Sequence, residues 1–123
     1  MDTKTIRETV LSAQDVKLVP VSVPEWGMPE GLFVRELSAY SADEYNSLLF
    51  VHTDAEGRLT ESVPWLRTAL VCKALCDAEG NRVFADADLE ALGAKSGPVM
   101  ERLYLAAKAV NEIDVPVEEA AKN

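Results

Sequence analysis

The stretch Leu18-Val19-Pro20-Val21-Ser22-Val23 constrains the fold more than any other part of the chain. Val19, Val21 and Val23 point to one side of an extended backbone, with Leu18, Pro20 and Ser22 opposite. That period of two in β-branched residues reads as a strand over residues 17–23. Pro20 has no N–H to donate, which confines the strand to a sheet edge. The next segment, Pro24-Glu25-Trp26-Gly27-Met28-Pro29-Glu30-Gly31, is dense in turn formers, and residues 32–37 read as a second strand. The pair predicts a small antiparallel hairpin with a long loop.

The rest of the chain reads with helical spacing. Thr5-Ile6-Arg7-Glu8 fits a capping box and predicts a short helix over residues 6–13, with Ile6 and Val10 on one face. Ser38 or Ser41 can cap the next helix, the latter with Glu44 as its box partner, and Tyr45, Leu48, Leu49 and His52 follow at helical intervals. Pro64 suits the first turn of a third helix. There Trp65, Ala69, Cys72 and Cys76 form one stripe and Leu66 and Leu70 another, so this helix belongs at the centre of the core, with Trp65 in a structural role. Asp77-Ala78-Glu79-Gly80-Asn81-Arg82 reads as a turn that returns Val83-Phe84 to the core. Asp86 or Asp88 can cap a short helix that Gly93 stops. Ser96-Gly97-Pro98 opens the last helix, which buries Val99, Leu103, Ala106 or Ala107, and Val110 and is broken by Pro116. At 123 residues the length fits one domain with its own apolar core. The expectation is an α+β, mainly helical domain over residues 1–115, with four to five helices and the hairpin, and a polar mobile tail over residues 116–123.

Charge narrows the function. The net charge is −9, unevenly placed. No Lys or Arg lies between Arg35 and Arg58, a stretch holding Glu36, Asp43, Glu44, Asp54 and Glu56. Residues 77–90 hold five acids against Arg82 alone. A duplex-binding protein needs clustered Lys and Arg to displace counterions from phosphates, so nucleic acid is a poor partner. Acidic blocks select basic protein segments and speed encounter with them, although solubility alone also accounts for the surplus. No apolar run approaches the ~20 residues of a membrane-spanning helix, and Met1-Asp2-Thr3-Lys4 begins no signal peptide. A cytoplasmic location follows, where Cys72 and Cys76 read as buried thiols and not a disulfide.

Catalytic and cofactor chemistry finds little support. His52 is the sole histidine and sits at a helix end, where a surface role outweighs a catalytic one. Cys72 or Cys76 would need to reach it to form a nucleophile pair, and buried helical thiols are usually inert. Zinc-ligand spacings are absent. Asp77, Glu79 and Asn81 alternate as in a calcium loop, but the glycine falls at the fourth position and no Glu stands at the twelfth, so the turn reading prevails. No phosphate-binding glycine loop occurs. The sequence therefore points to a non-enzymatic protein without cofactor or metal. Trp26, at the mouth of the Pro/Gly loop, is either tucked over the hairpin or offered to a partner, with the tucked position favoured.

The order of segments carries further information. Val21-Ser22-Val23-Pro24-Glu25-Trp26-Gly27 precedes Leu32-Phe33-Val34-Arg35-Glu36-Leu37-Ser38. Later come Leu75-Cys76-Asp77-Ala78-Glu79-Gly80-Asn81-Arg82-Val83-Phe84 and Asp86-Ala87-Asp88-Leu89-Glu90-Ala91-Leu92-Gly93. Over about residues 5–123 this resembles the tail assembly chaperones of long-tailed bacteriophages and their prophages. Ala85 departs from the family pattern, where a capping Thr or Ser is usual. The resemblance implies a protein absent from the finished virion. It would coat the aggregation-prone tape measure protein before tail-tube subunits, a second partner on the same resemblance, polymerise around it. It also implies weak self-association along the client and, in many members, a longer frameshifted form, for which the codons of Lys122-Asn123 are a candidate slippery site. The residues expected to meet a partner are Trp26, Glu36, Asp43, Glu44, Asp77, Glu79, Asp86, Asp88 and Glu90. The competing expectation is a structural virion component, such as a tail completion or head–tail joining protein.

Overall fold

The computed structural model describes residues 1–51, 54–56, 58 and 65–112. Its elements run α1 (Thr3–Ser12), β1 (Leu18–Val23), β2 (Met28–Arg35), α2 (Ala39–Val51), α3 (Trp65–Ala74), β3 (Leu75–Cys76), α4 (Leu89–Gly93) and α5 (Gly97–Val110). The architecture is α+β and mainly helical, with a three-stranded antiparallel sheet in the order β1-β2-β3. His52, Pro64 and Pro116, the tail over 116–123 and the domain boundary at 115 lie outside the described residues.

The alternation holds for Val21 and Val23, which turn to the core, while Val19 near the start of the strand is 39% exposed. Val19 pairs with Val34 and Val21 with Leu32, and Val23, Leu32 and Val34 are buried. β1 is an edge strand, as Pro20 demands. The connection, however, is short. Pro24–Trp26 form a single 3-10 turn, closed by the Gly27 N–H donating to the Pro24 carbonyl at 2.9 Å. Gly27 adopts φ +74°, a left-handed conformation that an L side chain resists. With the chain reversed so early, β2 begins at Met28, not Leu32, and the expected long loop is replaced by a tight turn.

A third strand replaces the expected last turn of the central helix. Leu75 and Cys76 pair with Val34 and Phe33 of β2, and the Leu75 carbonyl accepts the Val83 N–H at 3.1 Å. These sheet bonds take the backbone groups that another helical turn would have used. Cys76 consequently leaves the helical stripe while remaining fully buried. Val83 is 49% exposed, and only Phe84 of that pair packs on the core.

α3 is the centre of the core: every residue from Thr68 to Ala74 is buried, as is Leu66. It packs against α5 and lies over the sheet, with Leu70, Leu75, Val34 and Leu103 among the fully buried side chains. The caps decide the ends. Asp2, not Thr5, caps α1, its carboxylate accepting the Thr5 N–H at 2.8 Å, so the helix starts at Thr3. Ser38 caps α2 by accepting the Ser41 N–H, while Ser41 is buried inside the first turn. Ser96 caps α5. That helix ends at Val110, where Asn111 accepts the Leu37 N–H at 2.7 Å and donates to the Arg35 and Ala107 carbonyls. α1 keeps Ile6 and Val10 on one face but buries no residue.

Candidate functional site

The two acidic blocks meet at one lysine. Lys73 stands on α3 with its side chain only 7% exposed. Its Nζ lies 3.1 Å from Glu44 Oε1 on α2 and 3.4 Å from Asp86 Oδ1, in the turn before α4. Burying an ammonium is costly unless it is paired, and here one carboxylate from each block pairs it. Asp86 also accepts from Arg82 at 2.9 Å, and that hydrogen bond, followed by the charge of Lys73, holds its carboxyl below the ordinary range. Arg82 additionally donates to the Cys72 carbonyl, which ties the returning turn to α3.

Around this lysine, α2, α3 and α4 leave a cleft of about 270 Å³, lined by Glu44, Leu48, Trp65, Ala69, Cys72, Lys73, Asp86 and Leu89. A second hollow of about 420 Å³ adjoins it, sharing Trp65 and Leu89 and adding Thr68, Glu90 and Gly93. Trp65, expected in a structural role, is 38% exposed and stands at the junction of the two. The walls are largely apolar, but they include the buried ammonium of Lys73 together with the exposed carboxylates of Glu44, Asp86 and Glu90. Such a groove suits an amphipathic helix, with apolar anchors inside and basic residues at the rim.

The other residues expected to meet a partner divide into two sets. Several are occupied within the fold. Trp26 is half-buried against the core, in the tucked position. Glu36 accepts the Lys17 N–H at 2.8 Å. Asp77 accepts the N–H groups of Glu79 and Asn81, both at 2.9 Å, and those bonds hold its carboxyl low. The Asp77 carboxylate thus closes a turn whose Gly80 has φ +85°. Asp88 accepts the Ala85 N–H at 2.8 Å and so closes the 3-10 turn over Asp86–Asp88. The expected cap of α4 by Asp86 or Asp88 is not formed, because Asp86 is engaged by Arg82 and Lys73. Asp43, Glu79 and Glu90 are exposed and carry no ion pair among the described residues. The structure brings Glu44, Asp86 and Glu90 to one groove; Trp26, Glu36, Asp77 and Glu79 line neither hollow.

Lys73, Trp65, Leu48 and Leu89 were not singled out as site residues from sequence. Lys73 had a visible clue: it interrupts the apolar run Ala69-Leu70-Val71-Cys72 and Ala74-Leu75 at a position that must face inward. Cys72 and Cys76 are buried, and burial raises both thiols above their ordinary range, so they stay protonated at neutral pH. Among the described residues, no group of His, Cys, Asp and Glu is placed to hold a metal ion. No helix there is long and apolar enough to cross a membrane.

Away from the cleft, Arg67 pairs with Glu101 at 2.6 Å. Arg67 and Lys108 flank the Tyr104 ring at 6.0 and 5.2 Å from its centroid. Arg102 grips Glu25 with two hydrogen bonds, at 2.6 and 3.1 Å, and donates to the Ser22 carbonyl. That clamp fastens the turn bearing Trp26 to α5 and lowers the Glu25 carboxyl to about 2.

Comparison with known proteins gives a consistent picture. The family described as phage tail assembly chaperone matches residues 5–123. No curated protein sequence matches the chain. Among solved structures, that of the bacteriophage HK97 tail assembly chaperone is similar to this fold. The TM-score is 0.60 at 21% identity, covering 88% of this chain and 98% of that one.

Proposed function

The chain belongs to the phage tail assembly chaperone family, and on that premise we propose that it binds the tape measure protein in the host cytoplasm and keeps it soluble until the tail tube forms. Binding is non-covalent and no reaction is catalysed. The observation that carries this reading is the cleft between α2, α3 and α4, lined mainly by apolar side chains around Lys73 and carrying the carboxylates of Glu44, Asp86 and Glu90. A long helical client exposes apolar stripes, and the cleft accepts side chains from such a stripe one helical turn at a time. Basic residues beside the stripe meet the rim carboxylates, and the −9 net charge draws them in. Asp43 and Glu79, exposed and without an ion pair among the described residues, extend the negative field beyond the cleft. The tail-tube protein is a further partner on this reading, brought in as the chaperone is displaced, and the chaperone does not enter the virion.

Copurification tests the cleft directly. A tape measure protein tagged and co-expressed with this chain should retain it, and Trp65→Ala combined with Glu90→Lys should reduce the retained amount at least tenfold. Retention unchanged by those substitutions would place the contact elsewhere. Stoichiometric amounts of the chain in purified virions, read by mass spectrometry, would instead favour a structural virion component.

A further inference from the structure

The two hollows beside α3 continue into a third. It holds about 130 Å³, meets the second hollow at Thr68 and Gly93, and is lined further by Arg67, Lys95, Gly97 and Met100. Together they form one groove between α3 and the segment from Asp86 to Gly97. From Asp86 to Lys95 the chain passes through a 3-10 turn, α4 and the turn after it. At a helical rise of ~1.5 Å per residue it advances on the order of 14 Å, between two and three turns of helix.

The sign of the charge changes along this groove. In the first hollow the Lys73 side chain is 7% exposed, whereas those of Glu44 and Asp86 are 56% and 59% exposed, so the charge offered to a ligand is negative. Asp86 is shared with Arg82. Glu90, in the second hollow, is exposed and has no ion pair among the described residues. In the third hollow both charged residues are basic. Lys95 is exposed and likewise without an ion pair among the described residues. Arg67 engages Glu101 through Nη1, a half-exposed contact that solvent screens. α5 starts at Gly97, so the positive end of its dipole borders the same hollow.

We propose that the groove reads the order of charges in its client as well as the apolar pattern. It takes an amphipathic helix whose basic residues lie over Glu44, Asp86 and Glu90 and whose acidic residues lie two to three turns along, over Arg67 and Lys95. Turning such a helix end for end sets like charges against each other at both ends, so a charge-segregated segment enters in one direction only. A segment of the same composition with interspersed charges meets repulsion in either direction. The inference rests on the groove being the client site, and adds which segments of a long helical client it selects and which way they lie.

Designed peptides of about 18 residues can stand in for the client. The first carries one leucine stripe, lysines toward one end and glutamates two to three turns away. The second has the same composition with the charges interspersed, and the third has lysines at both ends. Fluorescence anisotropy with the full chain should show the segregated peptide binding about fivefold or more tighter than either of the others. Arg67→Gln/Lys95→Glu alters only exposed positions. With its fold verified by circular dichroism, this variant should bind the peptide with lysines at both ends tighter than the segregated one. A nitroxide at the acidic end of the segregated peptide should broaden the NMR amide signals of Gly93, Lys95 and Gly97, and one at its basic end those of Glu44 and Leu48. Equal affinity for all three peptides, or equal broadening of both sets from either end, would overturn the inference and leave the cleft as the client site. If none of the peptides binds, the cleft reading falls and the charge order falls with it.

Discussion

Lys73 offers a test in which two substitutions at one contact should act in opposite ways. Its ammonium is buried and lies 3.1 and 3.4 Å from the Glu44 and Asp86 carboxylates. Glu44→Gln with Asp86→Asn keeps the shapes and strands the ammonium without a counter-charge. Breaking a fully buried pair costs ~3–5 kcal/mol. Here both carboxylates are more than half exposed, which screens the interaction toward the ~1 kcal/mol of a surface pair, so we expect about 2 kcal/mol. Lys73→Met retains a linear stem of similar volume and removes the charge that has to be desolvated. Asp86 keeps Arg82 and Glu44 returns to water, so its cost should stay below about 1 kcal/mol. Adding Lys73→Met to the double variant should recover more than ~1 kcal/mol, because the stranded charge is gone. Urea unfolding followed by circular dichroism measures all four proteins, with a constant slope confirming that only stability changed. The reasoning fails if Lys73→Met alone is costlier than the double variant, or if the triple variant recovers nothing. The pH dependence has a definite sign. The folded Asp86 carboxyl titrates below its ordinary range, so its contribution is complete above pH ~4 and is lost as pH falls through the lower folded value.

Other expectations follow from single contacts. Asn111→Ala removes the acceptor of the Leu37 N–H and a donor to two carbonyls; a loss of about 2–3 kcal/mol is expected in urea unfolding, and one below ~0.5 would contradict the bridging role. Gly27→Ala places a Cβ in open space, so only the φ of +74° opposes it; its cost should be about 1 kcal/mol by thermal melting, and a neutral result would mean the turn is not held left-handed. Leu70→Ala, at a fully buried position, should cost ~2–5 kcal/mol depending on how far the core collapses. The clamp on Glu25 should survive acid to about pH 2, since its carboxyl is lowered to about 2. An NMR titration of Glu25 should show this, and Arg102→Ala should return the carboxyl toward ~4.3.

Legibility in the sequence followed how local each determinant is. β1 was readable because β-branched alternation and Pro20 act within six residues, and the start of α5 because Ser96 reaches only three residues along the chain. Asp86 and Asp88, in contrast, turn to Lys73, Arg82 and the Ala85 N–H and leave the start of α4 without a side-chain cap. α1 starts one turn earlier than the Thr5 capping box predicts, because the Asp2 carboxylate accepts the Thr5 N–H. The third strand was hidden because Leu75-Cys76 continues the apolar stripe of α3; only pairing with β2, distant in sequence, separates them. The early start of β2 depended on the left-handed Gly27, which a Pro/Gly-rich segment permits without specifying. Glu44 and Asp86 were named from charge alone, but their convergence on Lys73 is a tertiary fact. The same holds for Trp65, which begins α3 in the core stripe and yet is 38% exposed at the junction of the two hollows.

The central claim is that this chain holds its tape measure client in solution. The measurement that tests it most directly is the soluble fraction of the tape measure protein expressed with and without this chain, at matched expression levels. The account predicts that the client is mostly insoluble alone and largely soluble with the chain, and that Trp65→Ala/Glu90→Lys abolishes most of that gain. A client equally insoluble in the presence and absence of the wild-type chain would contradict it.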